Sequence, residues 1–402
     1  MTTLTWVGGT ATWDGLTTSV WSPAQVPTAA DDVVFSSAST YTVTFGPSSS
    51  GNLLCKNFTV SAGSVTFIDS GVNPSVLNIS GSLSLSSGTT TWTSSIGVVT
   101  FNASSAQTIS TNGTSIGSTV QMNNASGSWQ LLDALNCGGL SFLNGTIDGN
   151  NQTITVTNSF SVKSGTGNIS IKNINSSVLG TLAGTSTLTQ TGDNIFPVGC
   201  AFTAGALNLN GYTLTCGGLV GSTANSKSIT FNGGTISTSG AFGTTAGVLT
   251  TVAGTGTGYV RFTGASAKAF YGANATYNCV VSNDGSGQLQ ISGSNTFSQL
   301  TNGVSPASFR FTSATTQTIT NWNVSGTAGN LVTITSSTAG SAATLSKSSG
   351  TVSSDYLSLK DSTATGGASW YAGANSTNVS GNTGWIFTAS PTVKRSFGWI
   401  IT

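Results

Sequence analysis

The sequence predicts an all-β chain wound as a parallel β-helix, or β-solenoid, with capped ends; an array of β-sandwich domains is the alternative that the same short strands allow. Three observations carry this expectation. Ser and Thr supply 131 of the 402 residues and Gly another 52, a composition of pleated surfaces and turns rather than of helices. Short segments recur, each a strand, an Asn- or Gly-rich corner and a second strand. Their spacing is irregular, and no long polar linker divides the chain into units of about 100 residues, which suits a stacked coil.

The elements divide into three stretches. Residues 1–50 hold Trp6, Trp13 and Trp21, two prolines in WSPAQVP, and Asp31-Asp32 ahead of Val33-Val34-Phe35. An aromatic segment of this kind suits the cap or attachment piece that covers the first coil of a solenoid. Residues 51–330 are the repetitive body. Phe101–Ile109 (FNASSAQTI), Phe262–Phe270 (FTGASAKAF) and Phe311–Ile319 (FTSATTQTI) align position by position, with Gln or Lys at the seventh place. Another apolar residue stands two places before each Phe (Val99, Val260, Phe309), the period of a strand with one buried face. Phe101, Phe262 and Phe311 are therefore expected at equivalent inward positions. Gly145–Val156 (GTIDGNNQTITV) and Gly205–Cys216 (GALNLNGYTLTC) form a second pair, and LSFLNGTI at 140–147 and ITFNGGTI at 229–236 a third. Their Asn/Gly corners accept positive φ at low cost. Coils of about 20–25 residues would give roughly a dozen of them in this stretch. Residues 331–402 form a C-terminal β block with Trp370 and Trp385 in GNTGWIF-terminated sequence, then a short basic tail through Lys394-Arg395.

Composition also excludes chemistry. Only 5% of residues are charged, against about 25% in an average soluble domain. All ten acidic residues are Asp, and the chain has no His. His-dependent triads, imidazole metal sites and two-glutamate mechanisms are ruled out. A formal net charge of +1 with scattered basic residues offers no footprint for nucleic acid. No run approaches the roughly 18 apolar residues of a membrane span, and the N-terminus has no conventional secretory signal. Cys55, Cys137, Cys200, Cys216 and Cys279 contain no CxxC pair, so reduced, buried thiols are expected. No Walker-type sequence is present, and neither a cofactor nor a metal is expected.

Carboxylates are the remaining candidates. Asp148-Gly149-Asn150-Asn151 and Asp284-Gly285 lack the ligand spacing of an EF-hand and are expected to be turns. Asp31 and Asp32 point to opposite sides of a strand and are expected to cap. Asp133, Asp148 and Asp193 lie in the repeats, where convergence on adjacent coils would make a glycan-cleaving pair; no spacing requires it, so no catalytic residue is assigned. Where an Asp only turns the chain, Asn is expected to replace it.

The opening TWVGGTATWDG…VWSPAQVPTAADDVVF resembles the N-terminal segment of bacterial and phage surface β-helix proteins. The block GTAGNLVTITSSTAGSAATLS…GTVSSDYLSLKDSTATGGASWYAGANSTNVSGNTGWIF is similar to the terminal region of long repetitive bacteriophage proteins. This resemblance implies a non-enzymatic virion structural protein exposed on tail or capsid as a fibre, spike or decoration. By analogy with phage fibres it implies a homotrimer contacting other virion proteins, with host surface polysaccharide as a further partner. A glycan-cleaving tail spike and a bacterial cell-surface adhesin are the rival classes.

Overall fold

A computed structural model describes residues 1–46, 52–70, 76–85, 89–93, 97–150, 152–164, 169–172, 175–176, 180–184 and 187–391. Lys394-Arg395 and Asn151 lie outside the described residues. The chain is all-β, a β-solenoid of stacked parallel strands, and no helix occurs among the described residues. It divides into two units, residues 1–238 with 244–257 and residues 239–243 with 258–402.

The first unit has three parallel ladders, visited in turn by each coil. Face 1 begins with Thr3–Trp6, Asp32–Phe35, Phe58–Val60, Leu83–Leu85 and Ala106–Ser110 and continues to Leu249–Val252. Face 2 begins at Ala11–Trp13 and face 3 at Asn52–Cys55. Alternation places one side chain in two inward, and register then stacks those side chains. Leu4, Val33, Phe58, Leu83, Ile109 and Leu131 are successive partners along face 1, and all are buried. Partners in neighbouring coils stand 25 residues apart at Ser82–Asn57, 23 at Ser110–Asp133 and 18 at Gln130–Asp148.

Two features surround the first strand of face 1. Trp21–Ser22 pairs antiparallel with Thr5 and Trp6, occupying the free edge of Thr3–Trp6. Trp6 and Trp13 then pack edge-to-face on Trp21 at 5.0 and 5.1 Å. Phe35, Phe45, Phe58, Phe67 and Trp92 extend this aromatic plug into the following coils. Trp6, Trp13 and Trp21 are thus buried in this aromatic cluster.

The second unit repeats the scheme. One ladder runs through Lys268–Tyr271, Gln288–Ser292, Ser308–Phe311, Val332–Ser336, Leu357–Lys360 and Thr377–Ser380. Inside it Phe242, Phe270, Ile291 and Phe311 stack as register partners. Tyr259–Phe262 starts another ladder, paired with 280–283. Trp322, Trp370 and Trp385 form a second aromatic group, with centroids 5.2–6.2 Å apart.

Phe101, Phe262 and Phe311 are all fully inward. Equivalence fails in one respect, because Phe262 and Phe311 stand on different ladders of the second unit. The nonapeptide encodes strand, corner and strand without fixing which face the first strand takes. By contrast, 145–156 and 205–216 both pass from face 1 to face 2 of the first unit.

The seventh position of the nonapeptide has a role that hydrophobic periodicity hides. Its parity is inward, yet it is polar: Lys268 and Gln317 are buried there, whereas Gln107 is half-buried and bonds the Ser82 and Ser105 hydroxyls. Lys268 is 2% exposed, and its Nζ donates to the carbonyls of Gly264 at 3.0 Å and Gly287 at 2.9 Å. Gln317 is fully buried; its Nε2 donates to the Gly293 carbonyl at 2.8 Å, and its Oε1 accepts from Asn295 Nδ2 at 2.9 Å. Lys227, at the start of its own strand, donates to the carbonyls of Thr223, Asn225 and Ala246. A polar side chain that opens a strand turns back and donates to the carbonyls of the adjoining corners.

Lys268→Gln, which installs the residue of the other two nonapeptides, is expected to keep most of this stability, whereas Lys268→Met removes two charge-assisted hydrogen bonds, leaving the Gly264 carbonyl to the Gly287 N–H and the Gly287 carbonyl to Asn283 Nδ2, at a cost of about 1–3 kcal/mol. Urea denaturation measures both. Phe262→Ala calibrates the scale at about 3–5 kcal/mol, and Thr316→Ala, on the exposed side, is expected within about 0.5 kcal/mol of the parent.

Candidate functional site

An open groove of about 670 Å³ lies on face 1 of the first unit. Register builds it from two outward rows. Thr108, Gln130 and Asp148 are successive partners in one row, and Ala106, Ser128 and Thr146 in the other. Ser82, Gln107 and Thr191 complete the lining. Adjacent rungs lie about 4.8 Å apart, so the groove presents a hydroxyl or amide at nearly every rung. Gln130 Nε2 donates to Asp148 Oδ2 at 3.1 Å, and the Asn150 N–H donates to Asp148 Oδ1 at 2.9 Å. No aromatic ring lines the groove; Trp129, which belongs to the same strand, points inward and is buried.

Of the three Asp residues singled out in the repeats, only Asp148 reaches this groove. Asp133 sits at the corner after Ser115–Leu131. Its Oδ2 accepts from Ser110 Oγ at 2.7 Å and the Asn112 N–H at 2.9 Å, and its Oδ1 accepts from the Thr111 N–H and hydroxyl at 2.9 and 3.0 Å. Burial alone would raise its pKa, but these four hydrogen bonds outweigh it and hold the carboxyl below its ordinary value. Asp193 Oδ1 accepts the Thr213 N–H of the next coil at 2.7 Å. Asp133 and Asp193 each stitch their corner to that of a neighbouring coil, and none of the three carboxylates hydrogen-bonds another.

The remaining acidic candidates behave similarly. Asp31 accepts from the Thr28 hydroxyl at 2.6 Å and from the Thr28 and Thr2 N–H groups. The Thr28 hydroxyl is the main reason its pKa is lowered, against the opposing effect of burial. Asp32 accepts from Asn57 Nδ2 at 2.8 Å. Asp284 pairs with Arg261 at 3.2 Å, a contact between coils that the Asp-Gly turn expectation did not include. Among the described residues no group of three or more His, Cys, Asp or Glu is placed to hold a metal ion. All five cysteines are free and buried, and burial pushes the thiols of Cys137 and Cys216 up to about 12. No described helix is long and apolar enough to cross a membrane.

These geometries separate two Asp-to-Asn changes that look alike in sequence. Asp193 accepts through one oxygen, so Asp193→Asn is expected to cost little. Asp133 accepts through both, and an amide would turn N–H against N–H, so Asp133→Asn is expected to cost about 1–3 kcal/mol. Because the folded pKa values of Asp14, Asp31, Asp133 and Asp355 are lowered, their stabilisation is complete above the unfolded carboxylate pKa of about 4 and is lost as pH falls below it. Thermal melts from neutral to acid pH are expected to show that decline, shallower in Asp133→Asn.

No protein-family model, no curated protein and no solved structure matches this chain.

Proposed function

We propose that this chain is a non-enzymatic structural protein displayed on the tail or capsid surface of a bacteriophage, assembled as a homotrimer beside other virion proteins, with host surface polysaccharide held in the face 1 groove. The observation that carries this reading is the character of that groove. It offers rows of hydroxyls and amides at a spacing of about 4.8 Å, which suits a neutral, repeating, hydroxyl-rich polymer. Its single carboxylate, Asp148, is hydrogen-bonded by Gln130 and Asn150. The phage assignment itself rests on the resemblance of the two terminal blocks.

A second reading, glycan cleavage, draws on Asp148 lying in the groove. Glycoside hydrolysis ordinarily uses two carboxyl groups flanking the scissile bond, and the other two repeat-region candidates are engaged at corners. The non-enzymatic reading is therefore preferred.

Mass spectrometry of purified particles tests the virion assignment. The chain is expected among the structural proteins of the particle. Its absence from particles, with recovery in a bacterial envelope fraction, would replace this reading with that of a cell-surface adhesin.

A further inference from the structure

The chain contains five Asn-Gly pairs, beginning at Asn112, Asn144, Asn210, Asn232 and Asn302. Three of them occupy the same corner turn. Thr114 N–H donates to the Thr111 carbonyl, Tyr212 N–H to Leu209, and Gly234 N–H to Phe231, at 2.8–2.9 Å. The Asn φ values are 49°, 51° and 48°, and the Gly values 78°, 85° and 80°. Backbone geometry is thus held constant while the surroundings of the Asn side chain change.

Asn232 is clamped at both ends of its amide: Nδ2 donates to Asn208 Oδ1 at 3.1 Å, and Oδ1 accepts the Thr255 N–H at 3.1 Å. Asn210 is held at one end, by Nδ2 donating to the Gln190 carbonyl at 3.3 Å. The Asn112 side chain makes no hydrogen bond; only its backbone N–H is engaged, with Asp133. Both Asn112 and Gly113 are exposed, and no atom lies within 4 Å of where a Gly113 side chain would begin. In the other two pairs, Asn144 Nδ2 donates to Asn123 Oδ1, and Asn302 Nδ2 donates to the Val304 and Ser325 carbonyls while its Oδ1 accepts the Ser325 N–H.

We propose that Asn112 is a site of spontaneous covalent modification, the position at which the folded chain converts an amide to a carboxylate. The Gly113 backbone nitrogen, losing its proton to water or hydroxide, attacks Asn112 Cγ. The Cγ–Nδ2 bond breaks and ammonia leaves, giving a five-membered succinimide. Water then opens the ring at either carbonyl, leaving Asp or isoaspartate at 112. Reaction requires the side chain to swing onto the next backbone nitrogen, a near-attack geometry that a retained hydrogen bond opposes. The product places a new negative charge at a corner where the Asp133 carboxylate already accepts the Asn112 N–H, so the change loosens the turn it occurs in.

The test is peptide mapping by mass spectrometry of the full-length folded protein held at mildly alkaline pH, following amide-to-acid conversion at each Asn-Gly pair. Asn112 is expected to convert fastest and Asn232 slowest of the three matched turns, by about tenfold, within the range for giving up one or both of the two hydrogen bonds that hold the Asn232 amide. In urea the three rates should converge. Asn208→Ala, which frees Asn232 Nδ2, is expected to accelerate conversion at Asn232 while leaving Asn112 unchanged. Conversion of Asn232 in the folded parent as fast as Asn112, or no acceleration in folded Asn208→Ala, would overturn the proposal.

Discussion

Everything in this fold depends on the parallel backbone ladder between successive coils. A strand of three to six residues has too little apolar surface to be stable alone, and its N–H and C=O groups must find partners outside itself. Stacking supplies them from the coils before and after. Register follows from the same pairing, because alternation then aligns inward side chains into columns such as Leu4, Val33, Phe58, Leu83, Ile109 and Leu131. A slip by one residue would turn a whole column outward.

The ladder also dictates where polar residues must be used. Corners break the pairing, and a corner carbonyl buried between coils needs a donor. Lys227, Lys268 and Gln317 provide donors from inside; Asp133 and Asp193 provide acceptors from outside. A chain with ten Asp and eleven basic residues thus commits several of its ionisable groups to its own corners. What faces solvent in the face 1 groove is mostly hydroxyl and amide, which is why recognition of a neutral polymer fits this surface better than charge-driven binding.

Much of this was legible in the sequence, and the exceptions have physical causes. The strand–corner–strand grammar, the inward Phe residues and the buried thiols all follow from alternation and turn chemistry, which are local. The face occupied by a given strand is not local: FTGASAKAF and FTSATTQTI open on different ladders although they align position by position. The inward polar plugs were visible as a recurring Gln or Lys in an inward-parity place, a signal that apolar periodicity discards. The difference between Asp133 and Asp193 lies in which neighbouring coil offers donors, and no spacing in one chain reveals that. The groove needed the stack itself, since Thr108, Gln130 and Asp148 become neighbours only through register.

The central claim, that the groove binds without cutting while the carboxylates serve the corners, is tested most directly by one assay. Folded protein is mixed with purified bacterial surface polysaccharide, and retained polymer and newly formed reducing ends are measured in the same sample. Retention that falls when Gln130 is changed to Ala, with no reducing ends formed, is the predicted result. Steady release of oligosaccharide by the parent protein, abolished in a folded Asp148→Asn variant, would contradict the account and make the groove a hydrolytic site.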